Sequence, residues 1–182
     1  TPEHSQVNYG LRWQRQTEQC ELDSAGKHAV LVHKPEWTVG SPVANKPPHI
    51  LIRGDNYHAL NALKHTHLKA IGVIYIDPPY NTGKKDFVYN DSFVDAEDGS
   101  KHSKWLSFIE KRLKLAKELL APGGVIFISI DENERAALEL LCTSVLHFHF
   151  LGEIIWDKRS QKGGAVGIST SHEHILVLTT KP

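Results

Sequence analysis

The sequence predicts an α/β fold, a mostly parallel sheet whose final strands run antiparallel. Three observations carry this expectation. Ile71-Gly72-Val73-Ile74-Tyr75-Ile76 is a short apolar run, rich in β-branched residues and bounded by turn formers; that is the pattern of a strand buried on both faces inside a parallel sheet. Val125 to Ile130 repeats the pattern, and between the two runs lies a strongly periodic helix from Ser103 to Leu120. Glu153 to Trp156 and Glu173 to Thr179 then read as two strands with no helix between them, which allows antiparallel pairing.

In chain order, residues 1–48 read as an irregular arm, punctuated by Pro2, Pro35, Pro42, Pro47 and Pro48 and anchored by Tyr9, Trp13 and Trp37. The compact domain is expected over residues 49–182. His49 to Asp55 reads as a strand ending in a glycine turn, and Asn56 to His65, apolar at Tyr57, Leu60 and Leu63, as the helix behind it. With Ile71–Ile76 these elements would make a βαβ unit and bring Asp55 and Asn56 to the same sheet edge as Asp77. Asp55 can there hold a hydroxyl or amino group of a cofactor, or simply cap the helix.

From Asn81 to Ser103 the periodicity dissolves into polar, glycine-containing sequence with Phe87, Tyr89 and Phe93 embedded in it. A loop of roughly 20 residues inside a compact domain is uncommon and usually functional or disordered; beside a binding pocket at that sheet edge a lid is expected. Lys84, Lys85, Lys101 and Lys104 would offer it phosphate contacts, although exposed lysines are usually only solvated. On the long helix Trp105, Leu106, Ile109, Leu113, Ala116 and Leu120 share the apolar side, with Lys111, Arg112, Lys114 and Lys117 among them. Pro122-Gly123-Gly124 ends it. Asp131 to Glu134 open a further helix to about Leu146, with acids at its positive end. Lys158, Arg159 and Lys162 stand in a glycine-rich loop between the last strands, where main-chain amides can approach phosphates.

Lysine plus arginine and aspartate plus glutamate number 21 each, so no overall field attracts polyanions and any contact with nucleic acid must come from a local patch. The two cysteines, Cys20 and Cys142, stand in unrelated contexts and form no Cys-x-x-Cys pair. No apolar run reaches the roughly 18 residues of a membrane span, and a cytoplasmic protein without membrane contact is expected. The pairs His147/His149 and His172/His174 have the spacing that puts both rings on one face of a strand. No cysteine or carboxylate completes a tetrahedral set around either, so no metal is expected. The chain opens on Thr1 and contains no methionine, which suggests a processed product or a piece of a longer one.

The strand Ile71–Ile76 stops at Asp77-Pro78-Pro79-Tyr80. Its carboxyl end is where open α/β sheets bind ligands. A proline supplies a carbonyl without an amide donor, so Asp77 and the Pro78 carbonyl form two adjacent acceptors, and Tyr80 adds a flat face. Two acceptors and a ring suit a planar ligand with an amino group, such as adenine. The nitrogen of such a base must lose conjugation before it can attack a methyl donor, and an acid and a carbonyl that hold both amine hydrogens favour that geometry. A base reaches such a pocket only by leaving the duplex, at a cost of a few kcal/mol. The plainer reading is a strand-ending turn with an acid in it.

The tetrad, followed by Asn81-Thr82-Gly83 and Asp86-Phe87-Val88-Tyr89-Asn90-Asp91, resembles the catalytic motif of adenine-specific DNA methyltransferases, in particular the modification subunits of type III restriction systems. Tyr9 to Trp13, Ile52 to Asn56, Trp105 to Leu120, Gly124 to Asn133 and Ile154 to Trp156 resemble segments of those proteins in the same order. The resemblance implies a Rossmann-like methyltransferase sheet, S-adenosyl-L-methionine as cofactor, double-stranded DNA as substrate, and a restriction subunit or a second copy as partner. It implies catalytic roles for Asp77, Pro78, Pro79 and Tyr80, cofactor contacts at Asp55, Asn56 and Asp77, and a pocket bordered by Ser129 and Asp131. DNA contacts are assigned to Lys84, Lys85, Lys158, Arg159 and Lys162.

The family's aromatic-x-Gly-x-Gly cofactor segment does not occur. Gly163-Gly164-Ala165-Val166-Gly167 is the nearest candidate, and it stands before the last strand in another context. The expectation is therefore a partial catalytic domain, inactive by itself, without its target-recognition region. A cytosine-directed enzyme would resemble a motif with serine in place of Asp77, and one acting on protein glutamine a motif with asparagine. A non-catalytic DNA-binding or assembly module is the reading from another class.

Overall fold

The computed structural model describes residues 11–40, 46–90, 92–159 and 171–181. In chain order its main elements are α1 (Gln19–Asp23), α2 (Asn56–His67), β1 (Ile71–Ile76), β2 (Lys84–Tyr89), β3 (Ser92–Asp95), α3 (Lys101–Leu119), β4 (Leu120–Ile130), α4 (Arg135–Leu140), β5 (His149–Asp157) and β6 (His172–Thr179). Four strands form one sheet in the order β1-β4-β6-β5, and β2 and β3 form a separate hairpin. β1 pairs parallel to β4, while β4–β6 and β5–β6 are antiparallel.

The pleat decides which residues make the core. In register across the sheet, Ile74 and Ile76 sit beside Ile126 and Ile128, which sit beside Leu178 and Leu176. These side chains pack with Trp105, Leu106, Ile109 and Leu113 of α3, with Leu138 of α4 and with Leu141 just after it. Each fully buried aliphatic chain contributes about 1.5 to 3 kcal/mol. The cluster therefore holds α3 across β1, β4 and β6.

The arm is tied to the same helix by charge. Arg112, one of the basic residues set among the apolar positions of α3, is buried, with Nη1 donating to both carboxylate oxygens of buried Glu18 at 3.1 and 3.0 Å. Its Nε donates to Asn56 Oδ1 at 2.5 Å, and its guanidinium lies 3.7 Å from the centre of the Phe108 ring.

Four expectations need correction. β1 is an edge strand and is not buried on both faces, for Val73 is 65% and Tyr75 61% exposed. A run of apolar residues reports what would be buried if neighbours existed, not how many neighbours there are. The strand expected over His49–Asp55 does not form: residues 46–55 are irregular, with Ile50 and Leu51 exposed. A strand requires a ladder partner, and none pairs with that edge among the described residues, so the βαβ unit is not made.

The expected lid over Asn81–Ser103 holds the β2–β3 hairpin and the start of α3, and Phe87, Tyr89 and Val94 are core residues. Here alternation was hidden by charged residues on the outer face. Finally, the helix after β4 begins at Arg135 with Glu134 as its N-cap residue, because Asp131 is taken up in a turn, where its Oδ1 accepts from Asn133 N at 3.0 Å.

Candidate active site at the carboxyl edge of the sheet

Topology gathers the polar residues. β1 and β4 run parallel and end at Ile76 and Ile130, which puts Asp77 and Asp131 at one sheet edge. β6 runs the other way and begins at that edge with His172-Glu173, and β5 ends there with Asp157-Lys158. Asp77, Pro78, Tyr80, Thr82, Asp86 and Glu173 line a cleft of about 450 Å³.

The tetrad is held from below. The indole Nε1 of Trp105, fully buried, donates to the Pro79 carbonyl at 2.6 Å. Tyr80 is half-buried, and its hydroxyl donates to Glu173 Oε2 at 3.4 Å, while the other Glu173 oxygen pairs with Lys158. Burial, then the Asp77 and Glu173 carboxylates, push the Tyr80 hydroxyl far above its usual range, so it remains a donor. Asn81 takes a left-handed φ of 58° and Gly83 one of 78°, turning the chain from the tetrad into the hairpin. Asp86 Oδ2 closes this turn by accepting from Thr82 N at 2.9 Å. Burial also raises Asp131 above the usual carboxylate range.

The result is an open cleft with three carboxylates, Asp77, Asp86 and Glu173, and one aromatic ring. Such walls disfavour phosphate. They accept hydrogen bonds from an amine and favour positive charge.

Of the predicted site residues, Asp77, Pro78 and Tyr80 come together in this cleft, and Pro79 supports it through Trp105. Asp55 lines a different cleft, of about 550 Å³, with Asp23, His28, Arg53 and His58. Its Oδ1 caps α2 by accepting from Tyr57 N at 2.7 Å, and Asn56 is engaged by Arg112. Lys84 is exposed at the start of β2, whereas Lys158 is drawn onto Glu173. Arg159 is exposed, with its amide donating to Asp157 Oδ1 at 2.8 Å. The side chain of Lys85, all of Lys162 and the stretch Gly163–Gly167 lie outside the described residues.

Ser129 is buried and its hydroxyl lies 2.6 Å from that of Tyr75. The rings of His172 and His174 pack edge to face at 4.9 Å, and His174 Nδ1 lies 2.8 Å from Glu153. Sequence reasoning missed Glu173, Trp105 and Asp86. Trp105 reads as one more apolar helix position, and nothing local ties Glu173 to a residue 93 positions earlier in the chain. Asp86 had a signal in its place in the motif after the tetrad, and Trp105 a weaker one at the head of a segment that resembles the family.

Residues 71–182 match the N6/N4 methyltransferase family model, described as DNA methylase. The chain is 37% identical to the Mod subunit of the type III restriction-modification enzyme EcoP15I of Escherichia coli, over 72% of this chain and 24% of that protein. It is 34% identical to the StyLTI Mod subunit of Salmonella typhimurium, over 84% of this chain and 27% of that one. It thus spans about a quarter of the length of these curated relatives. In fold it is similar to a DNA modification methylase from Thermus thermophilus, solved in complex with S-adenosyl-L-methionine, with a TM-score of 0.52 and 22% identity over 71% of this chain and 54% of that one. The family model covers well over half of the chain, including β1, the tetrad and every later strand, and the chain belongs to the N6/N4 DNA methylase family.

Proposed function

We propose that this chain supplies the amine-holding part of an S-adenosyl-L-methionine-dependent methyltransferase that modifies the exocyclic amino group of adenine in double-stranded DNA. It would act in the cytoplasm, within a type III-like restriction-modification system and beside a restriction subunit. The observation that carries this reading is the cleft itself, with the Asp77 carboxylate and the Tyr80 ring set side by side at the carboxyl end of β1. Asp77 and the Pro78 carbonyl accept the amine hydrogens as the nitrogen pyramidalises, and Tyr80 stacks on the flipped base. The carboxylate walls, Asp77 and Glu173 among them, would also suit the positive sulfonium of the cofactor. When bound, S-adenosyl-L-methionine supplies the electrophilic methyl group. Asp77 in place of serine favours adenine over cytosine.

Asp77→Ala in the full-length protein is expected to lower the single-turnover methylation rate far more than DNA affinity, because the lost contact matters most in the transition state. Near-normal turnover would remove the role, and nucleoside mass spectrometry of the product separates N6-methyladenine from N4-methylcytosine. We further propose that the 182 residues alone do not complete methyl transfer, since they contain no aromatic-x-Gly-x-Gly segment and the reaction needs donor and nitrogen aligned. Calorimetry with S-adenosyl-L-methionine, paired with tritium transfer to duplex DNA, tests this. Tight binding with turnover would overturn it.

A further inference from the structure

Behind the tetrad lies a buried polar knot that lines no part of the cleft. Asn81 and Glu134 are each only 1% exposed. Asn81 Nδ2 donates to Glu134 Oε1 at 2.5 Å and to the Lys101 carbonyl at 3.3 Å. His102 Nδ1 lies 2.6 Å from the same Glu134 oxygen. Asn81 Oδ1 and Glu134 Oε2 are buried without a hydrogen-bond partner among the described residues. Enclosing such groups costs about 1 to 3 kcal/mol each, so the knot is a poor way to gain stability. What it does is join three segments: the turn after Tyr80, the first residues of α3, and the N-cap of α4.

Asn81 is bonded directly to Tyr80 and holds a left-handed φ of 58°, a conformation that asparagine adopts more readily than most residues with a Cβ. Trp105 ties the carbonyl of Pro79 on the other side of Tyr80. The tyrosine is thus fixed between two hydrogen bonds, the buried one of Asn81 and the partly buried one of Pro79, one on each neighbouring residue.

We propose that Glu134 is a positioning residue: by anchoring Asn81 it sets the backbone on which Tyr80 presents its ring to the flipped base, and it acts as a hydrogen-bond acceptor and not as a charge. This rests on the methyltransferase reading above. The groups that face Glu134 are Asn81 from the turn and Lys101 and His102 from α3. Both short contacts fall on one oxygen, and a glutamine amide oxygen can receive them equally well. Burial also holds the Glu134 carboxyl above its usual range, in the direction of the neutral form.

The test uses Glu134→Ala, Glu134→Gln and Asn81→Gly. Glycine adopts positive φ freely, so Asn81→Gly cuts the tie without straining the turn. In single-turnover tritium transfer from S-adenosyl-L-methionine to unmethylated plasmid DNA by the full-length protein, Glu134→Ala and Asn81→Gly should each lose about tenfold or more in rate. Filter-binding affinity for the same DNA should stay near that of the wild type, and Glu134→Gln should recover most of the rate. In parallel, NMR of the 182-residue chain should show the Asp77 and Tyr80 amide resonances displaced in Glu134→Ala and Asn81→Gly and restored in Glu134→Gln.

Wild-type rate in Asn81→Gly, unmoved Tyr80 resonances, or a Glu134→Gln variant as impaired as Glu134→Ala would overturn the proposal. A Glu134→Ala chain that fails to fold leaves the decision to Asn81→Gly. If the wild-type protein transfers no methyl group, it is the methyltransferase reading that falls, and the amide resonances still decide whether Glu134 positions Tyr80.

Discussion

At the scale of single residues, the site separates what a ring does from what its hydroxyl does. Tyr80 donates to Glu173 at 3.4 Å, a long bond at a half-buried position, and the proposed stacking uses only the ring face. In the full-length protein, on the reading proposed above, Tyr80→Phe should therefore keep most methyl-transfer activity, whereas Tyr80→Ala should lose about 1 to 3 kcal/mol of base contact. DNA binding and single-turnover rates of both variants check this, and equal damage from the two would assign the role to the hydroxyl.

Glu134 makes a prediction in pH. Burial raises its pKa in the folded state above 4.5, the value of the free side chain, so folding favours the protonated form. Its contribution to stability is fully present below about pH 4.5 and is lost as pH rises through the folded value. Glu134→Gln removes that loss. The variant should melt above the wild type at pH 7 and together with it at pH 4, and a melting difference that grows on acidification would reverse the sign of the argument.

At the scale of elements, two short features hold the tetrad against the rest of the molecule. Gly83 has a φ of 78°, and a Cβ added there would lie 2.6 Å from both Cα and Cβ of Ala96. The turn into β2 and the end of the β2–β3 hairpin thus meet too closely for any side chain. Gly83→Ala should cost the left-handed strain of about 1 to 2 kcal/mol plus the steric clash, read as a lower midpoint in urea denaturation. If the variant is as stable as the wild type, the close approach is not a constraint.

Trp105 supplies the second feature. Trp105→Phe keeps most of its apolar contact with the core but leaves the Pro79 carbonyl without the indole donor. A loss of about 1 to 3 kcal/mol is expected. Hydrogen exchange should rise locally at Tyr80 and Asn81 in this variant, and unchanged exchange there would show that the bond does not hold the loop.

At the scale of the whole molecule, the described residues pack the sheet on one face only. Val73 and Tyr75 of β1 are exposed on the face away from α3, and so are Ile154 and Trp156 of β5 at the far side of the sheet. Exposed strand edges with apolar residues favour association. The double substitution Ile154→Lys, Trp156→Lys should lower the concentration-dependent association of the chain in sedimentation velocity, without lowering its melting temperature. No helix among the described residues is long and apolar enough to cross a membrane.

By itself the sequence determined the elements whose signals are local. β1, α2, α3, β4, β5 and β6 each announce themselves through periodicity, and the Asp77–Tyr80 tetrad through its place after a strand. The antiparallel finish follows from two apolar runs with no helical periodicity between them in the sequence. Only the tertiary structure decided how many neighbours each strand has, because pairing is a property of two segments and a run such as Ile71–Ile76 describes one. It also denied residues 46–55 a strand partner and drew Arg112 onto Glu18. Glu173 reached the cleft through the register of β6 on β4, and Glu134 reached Asn81 across 53 positions of chain. Contacts that long are set by packing the whole sheet against α3, and no window of sequence contains them.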